Sequence, residues 1–320
     1  MLEFNSKNDI ITIQRSDKMK ELFKNIPNSN TWITIEPLNK GWSKDNKYII
    51  TDKDDIKYLL RISDISLYEK KKHQFGLLKK LEQLNINCSK PISFGTLNET
   101  QVYMLLSYLD GVDAKSYLSS ISDKEAYKLG FEAGTILKKI HGIEVEKPST
   151  SWYEMYLKKV ERKIKNAKLC ELEIPNLDLL INYIYNHLYL IKDRPQLLSH
   201  GDYHNGNMIV NKGHIGIIDF DKTSVVDPYD DLKCYCWNVF ESKYFATGVI
   251  NGYFNNKIPD DFFPIIALYS AENNIGHLPW AIQFGEEEIK VAYKVLNSVL
   301  EWYDNFNLTI PTWYKGRPEF

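Results

Sequence analysis

Three side chains in one short stretch have the types and the spacing to handle a hydroxyl proton, a cation and a phosphate together. The stretch is His200-Gly201-Asp202-Tyr203-His204-Asn205-Gly206-Asn207, and Asp219 follows between the apolar run Ile215 to Ile218 and Phe220. An aspartate on a tight loop can accept a hydroxyl proton, an asparagine five residues on can coordinate a cation, and an aspartate ending the next hairpin can bridge metal and phosphates. Asp202 is the candidate base, with Asn207 and Asp219 the candidate holders of magnesium. Turn chemistry explains each residue singly, because Asp and Asn favour turns and strand ends. It does not explain the joint spacing. A rival reading makes His200, Asp202 and His204 metal ligands of a hydrolase, but a two-metal site needs further His/Asp clusters. The other histidines, His73, His141, His187, His214 and His277, form none in the sequence.

These residues need a rigid frame. Gln196 to His200, Met208 to Val210 and Ile215 to Ile218 read as short strands, the last two joined by the turn Asn211-Lys212-Gly213. They form an island in a half where helices dominate. Leu129, Ala133, Ile136, Leu137 and Ile140 mark one helical face, and Leu179, Ile184, Leu188 and Ile191 another. Before Asp110-Gly111 the character differs. Runs to Leu38, from Tyr48 to Thr51 and from Tyr58 to Ile62 predict an antiparallel meander, followed by a helix carrying Phe75, Leu78 and Leu81. Ser89 to Gly95 reads as a break, and Gln101 to Tyr108 as one more strand. The expected organisation is an N-terminal lobe over 1–110 and a C-terminal lobe over 111–320.

Bulk properties narrow the class. The 320 residues are 43% hydrophobic and 26% charged, enough to bury a substantial core. A formal charge of −2 with interleaved signs argues against a nucleic-acid platform. No apolar run is long enough for a membrane segment, and no basic-then-apolar leader is visible. Cys88, Cys170, Cys234 and Cys236 show neither a disulfide framework nor a complete zinc pattern. They read as reduced thiols, which points to the cytoplasm.

The loop from His200 to Asn207 with Asp219 has the spacing of the kinase catalytic loop and its metal-binding aspartate. Together with Asp227-Pro228 and Asp231-Leu232, it makes the chain resemble the aminoglycoside phosphotransferase and choline kinase-like family. The resemblance implies an α+β, two-lobed protein-kinase-like fold, with a small antiparallel-sheet N-lobe that binds nucleotide and a larger, mainly helical C-lobe for catalysis and substrate. It implies Asp202 as catalytic aspartate, Asn207 and Asp219 as Mg2+ ligands, and ATP or GTP as phosphoryl donor. Ser43, in the turn Leu38 to Ser43, falls in the phosphate-covering loop. Arg61 stands where kinases keep a phosphate-pairing lysine, with its acidic partner unassigned between Glu69 and the neighbourhood of Gln74. The Ser107 carbonyl and the Leu109 amide match the purine-binding hinge, and His141 a buried residue that positions the catalytic loop. The acceptor wall is expected on helices within 150 to 185 and 240 to 305, with Glu272 and Trp280 as substrate-binding residues in an acidic, aromatic pocket. The implied acceptor is a small hydroxyl-bearing molecule, foremost an aminoglycoside-like antibiotic. Choline or a sugar is the alternative, and a nucleotide-binding pseudokinase the non-catalytic one.

Overall fold

The computed structural model describes residues 22–38 and 45–320. The chain divides into two compact units, Met1–Asp110 and Gly111–Phe320.

In the first unit, β1 (Trp32–Pro37), β2 (Asn46–Asp52), β3 (Lys57–Asp64), β4 (Pro91–Asn98) and β5 (Gln101–Ser107) form one antiparallel sheet in the order β1-β2-β3-β5-β4. Its apolar face buries Trp32, Ile35, Ile50, Leu60, Ile62 and Leu105 together with Phe23 and Ile26. Helix α1 (Tyr68–Glu82) buries Leu77, Leu78 and Leu81, and with them two polar side chains, Lys71 and Gln74. Strand β4 differs from the expectation of a break over Ser89 to Gly95. Pro91, Ser93 and Gly95 carry little strand propensity, yet an edge strand accepts a proline at its first position. The irregular register against β5 absorbs the rest. The turn Asn39 to Ser43, Ser43 included, lies outside the described residues.

In the second unit the longer helices are α2 (Asp123–His141), α3 (Trp152–Lys168), α4 (Leu177–His187), α5 (Lys243–Phe254), α6 (Phe262–Ala281) and α7 (Glu286–Trp302). Ser122 and Glu125 close a capping box at the start of α2. Helices α2 and α5 pack backbone to backbone, since a Cβ on Gly134 would lie 2.0 Å from the Val249 carbonyl oxygen. That contact fixes the end of α2, where His141 sits. The strand island is present as β7 (Leu197–Ser199), β8 (Met208–Asn211), β9 (His214–Ile217) and β10 (Ser224–Val226), with β6 (Val112–Asp113) on β8 and β10 on β7. The β8–β9 turn places Lys212 at φ 50° and Gly213 at φ 79°, the doubly left-handed geometry that matches strand twist in a two-residue hairpin. Among the described residues no helix is long and apolar enough to cross a membrane.

Candidate active site

The loop after β7 is held by its backbone. Asp231, fully buried, accepts hydrogen bonds from the amides of His200 (2.7 Å) and Gly201 (2.6 Å), while its Oδ2 lies 3.0 Å from His141 Nε2. Burial alone would raise the Asp231 carboxyl; His141 and His200 outweigh it and hold it below the usual carboxylate range. His141 Nδ1 in turn meets the Tyr253 hydroxyl at 2.8 Å. Gly201 sits at φ 84°, and a Cβ there would lie 2.1 Å from the Lys222 carbonyl oxygen, so only glycine fits between His200 and Asp202. The His200 ring bridges the two halves of the site. Its Nδ1 accepts from the Asp202 amide (3.3 Å), leaving Nε2 to donate to the Ile218 carbonyl (3.1 Å). Burial pushes the pKa of this imidazole down.

Removing the Asp231 acceptor leaves two buried amides unsatisfied. We expect Asp231→Ala to cost about 3 to 5 kcal/mol, the range for breaking a buried charged pair, and Asp231→Asn clearly less, because one acceptor oxygen remains. Chemical denaturation reads the difference. The sign with pH follows from the lowered carboxyl: the contribution of Asp231 is full above about pH 4 and is lost as pH falls through its native value. Equal stability of Asp231→Ala and wild type would remove Asp231 from this role.

The Asp202 side chain meets three partners. Asn207 Nδ2 donates to its Oδ2 at 3.1 Å and to its carbonyl oxygen at 2.9 Å. Lys222 Nζ donates to Oδ2 at 2.9 Å, and His204 Nε2 lies 3.6 Å from Oδ1. Burial would raise this carboxyl too, but His204 and Lys222 prevail and hold it well below the usual range. Lys222 and His204 are absent from the sequence-derived set of candidates in this role. Lys222 could have been suspected from its place three residues after Asp219, whereas His204 drew attention only as a metal ligand.

Asn207 and Asp219 are brought side by side by the hairpin. Met208 pairs with Ile217, and the Ile218 amide donates to the Asn207 carbonyl at 3.0 Å. Asp219 then takes φ 65°, ψ 64°, a left-handed conformation that Asp tolerates better than most residues. Because Asn207 Nδ2 is committed to Asp202, its Oδ1 is the edge turned to other partners. An amide oxygen and a carboxylate are hard donors of the kind magnesium takes alongside phosphates and water. Among the described residues no group of three His, Cys, Asp or Glu could hold a metal.

In the N-terminal unit Arg61 is 5% exposed, and among the described residues the acid paired with it is Asp45, not Glu69 or an acid near Gln74. Asp45, just before β2, accepts from Arg61 Nε (3.0 Å) and Nη2 (2.7 Å), from Lys71 Nζ (2.6 Å) and from Ser63 Oγ (2.8 Å). Helix α1 thus contributes a cation, Lys71, to this cluster. Ser107 ends β5, its hydroxyl accepting from the Lys90 amide at 2.8 Å, and Leu109 follows at the end of the unit.

Glu272, expected on the acceptor wall, is one of the buried residues of α6. Its carboxylate is fully buried on α6, with Lys163 Nζ 2.7 Å and Lys159 Nζ 3.2 Å away, so its charge is already matched. Trp280 is 43% exposed and packs against Phe284 with ring centroids 4.6 Å apart and the planes tilted by 49°.

A hairpin-borne aspartate beside an asparagine, on a loop anchored by a buried aspartate, joined to an antiparallel-sheet unit, defines the class of kinase-like phosphotransferases. The sequence model of the phosphotransferase enzyme family (APH) matches residues 34–260, well over half the chain, and the protein belongs to that family. Solved structures agree in fold. Aminoglycoside 2'-phosphotransferase-IIIa in its GDP complex superposes with a TM-score of 0.66 at 15% identity, over 90% of this chain and 98% of that one. A thermostable mutant of aminoglycoside phosphotransferase APH(4)-Ia, in ternary complex with ADP and hygromycin B, gives 0.64 at 12%, over 89% and 97%. Amicoumacin kinase hAmiN, in complex with AMP-PNP, Ca2+ and Ami, gives 0.62 at 15%, over 96% and 98%. No curated protein sequence matches the chain.

Proposed function

We propose that this protein is a magnesium-dependent kinase that moves the terminal phosphoryl group of ATP or GTP to the hydroxyl of a small molecule. The observation that carries the reading is the joining of Asp202, Asn207 and Lys222 in one hydrogen-bonded set beside Asp219. Asn207 Oδ1 and the Asp219 carboxylate would hold the cation, which when bound supplies charge neutralisation on the transferring phosphates. Asp202 Oδ1 or Oδ2 receives the acceptor's proton. A carboxylate held this acidic is a weak base, which suits a loose transition state in which the proton leaves late and orientation matters most. Lys222 keeps that carboxylate charged and aimed. The cytoplasm, which holds the nucleoside triphosphates, is the compartment this reading requires.

The N-terminal unit would bind the nucleotide through Ser43, Arg61 and the Ser107 and Leu109 backbone. Arg61 would contact phosphates, with Asp45 setting its orientation. We expect Arg61→Ala and Asp45→Asn each to raise the nucleotide KM by about tenfold or more, on the scale of one charged hydrogen bond, with the acceptor KM unchanged. Steady-state kinetics with both substrates varied measures it. An unaltered nucleotide KM in Arg61→Ala would remove strand β3 from nucleotide binding.

For the acceptor, the antibiotic ligands of the structural neighbours support an aminoglycoside-like molecule. The matched charge on Glu272 favours a second reading, a metabolite kinase acting on a smaller alcohol or sugar. A panel of aminoglycosides, choline, sugars and hydroxy acids assayed for acceptor-dependent release of nucleoside diphosphate separates the two. Stimulation by none of them, in a protein that binds nucleotide, would count against the kinase reading.

A further inference from the structure

The helices of the C-terminal unit carry a charged cluster whose signs do not balance. Lys159 and Lys163 lie one turn apart on α3, flanking its buried stripe of Tyr156, Val160 and Ile164. Asp230 and Lys233 lie in the segment Pro228–Cys234, and Glu272 on α6. Each carboxylate has an ammonium of its own: Lys163 lies 2.7 Å from Glu272, and Lys233 bonds Asp230. Lys159 is the third cation. Its Nζ stands between the two acids, 3.2 Å from Glu272 and 3.5 Å from Asp230, over the Tyr156 ring at 5.4 Å. The lysine side chains are 15 to 24% exposed, Lys159 the most, whereas Glu272 is sealed. Three ammonium groups against two carboxylates in a mostly desolvated place call for a further anion, because an unmatched charge out of water is costly.

The cluster adjoins the catalytic loop. Asp230 is the neighbour of Asp231, whose carboxylate holds the amides of His200 and Gly201, one residue from Asp202. A series of ring contacts leads from the loop to α6, His204 to Trp237 at 6.2 Å, Trp237 to His277 at 6.3 Å and His277 to Trp280 at 5.7 Å. His277 adds no charge. Burial and Lys163 push its pKa down to about 4, and Glu288 Oε1 lies 3.9 Å from its Nε2.

Resting on the kinase reading above, we propose that Lys159 binds an anionic group of the acceptor, a carboxylate or a phosphate, while the acceptor hydroxyl lies at Asp202. A polycationic acceptor would set like charge against Lys159, so the site selects against aminoglycosides.

The test uses the full chain and Lys159→Gln, which leaves two ammonium groups for two carboxylates and so keeps each buried acid paired. Hydroxycarboxylates such as glycerate and gluconate form one arm, sugar monophosphates a second, and a neutral polyol and an aminoglycoside the controls. We expect an anionic acceptor to give the fastest nucleoside diphosphate release, and Lys159→Gln to raise its KM tenfold or more with kcat and nucleotide KM within threefold; the arm that responds identifies carboxylate or phosphate. Independently of any acceptor, sulfate titrated at fixed ionic strength with saturating nucleotide should raise the melting temperature of wild type and not of Lys159→Gln. An aminoglycoside outperforming every anion, or identical sulfate responses in the two proteins, overturns the proposal and leaves the kinase reading standing. A sulfate response that needs Lys159, with no acceptor-dependent turnover at all, supports the anion site and indicts the kinase reading instead.

Discussion

Asp202→Asn is expected to lower turnover by about two to four decades, the usual range for a lost general base, which corresponds to roughly 3 to 5 kcal/mol of barrier. The loop should survive the change. An asparagine oxygen at 202 can still accept from Asn207 Nδ2 or Lys222 Nζ, and the anchoring bonds through Asp231 and His200 do not involve the 202 side chain. Nucleotide affinity and melting temperature should therefore stay near wild type, which separates lost chemistry from lost structure. Because His204 and Lys222 hold the Asp202 carboxyl far below its ordinary range, it is ionised throughout the neutral region. The pH profile of kcat/KM should show no acid limb from this group above about pH 4. Turnover of Asp202→Asn within threefold of wild type would sink the assignment.

Asp219→Asn is expected to weaken magnesium-dependent nucleotide binding by at least tenfold, since even outer-shell substitutions at metal sites cost about 10- to 100-fold. Asparagine is the informative replacement because it accepts the left-handed conformation at φ 65° and removes only the charge. Asp219→Ala adds backbone strain and should be worse. Asn207→Ala should be milder in metal affinity, as it removes no formal charge, yet it also strips a hydrogen bond from Asp202. Nucleotide titrations with and without magnesium read all three variants. Wild-type metal dependence in both Asp219→Asn and Asn207→Ala would put the metal elsewhere.

Much of this was legible in the sequence where local rules and long-range packing agree. The Lys212-Gly213 turn, the short apolar runs of β8 and β9 and the apolar face of α2 each announce themselves, and together they carry the loop that bears Asp202 and Asn207. Strand β4 was hidden because its pairing with β5, not its own propensity, makes it a strand. The partner of Arg61 was hidden because a helix acid was expected, whereas Asp45 reaches it from the start of the adjacent strand and α1 sends a lysine. The ion pairs of Glu272 were hidden for a related reason. On a helix buried almost all round, an acid signals a buried counter-charge more often than a ligand, and the counter-charges lie more than a hundred residues earlier on α3. Lys222, exposed and twenty residues from Asp202, carries no local sign of its contact.

The central claim is transfer of a phosphoryl group to an acceptor, and the most direct measurement follows the γ-phosphorus itself. Nucleotide labelled at that position is incubated with the protein, magnesium and each acceptor class, and the label is traced to acceptor, to inorganic phosphate or to neither. The predicted result is a phosphate monoester of one acceptor class, formed one for one with nucleoside diphosphate and abolished in Asp202→Asn. Nucleotide that binds tightly while its label never reaches any acceptor would contradict the claim and mark the chain as a nucleotide-binding module.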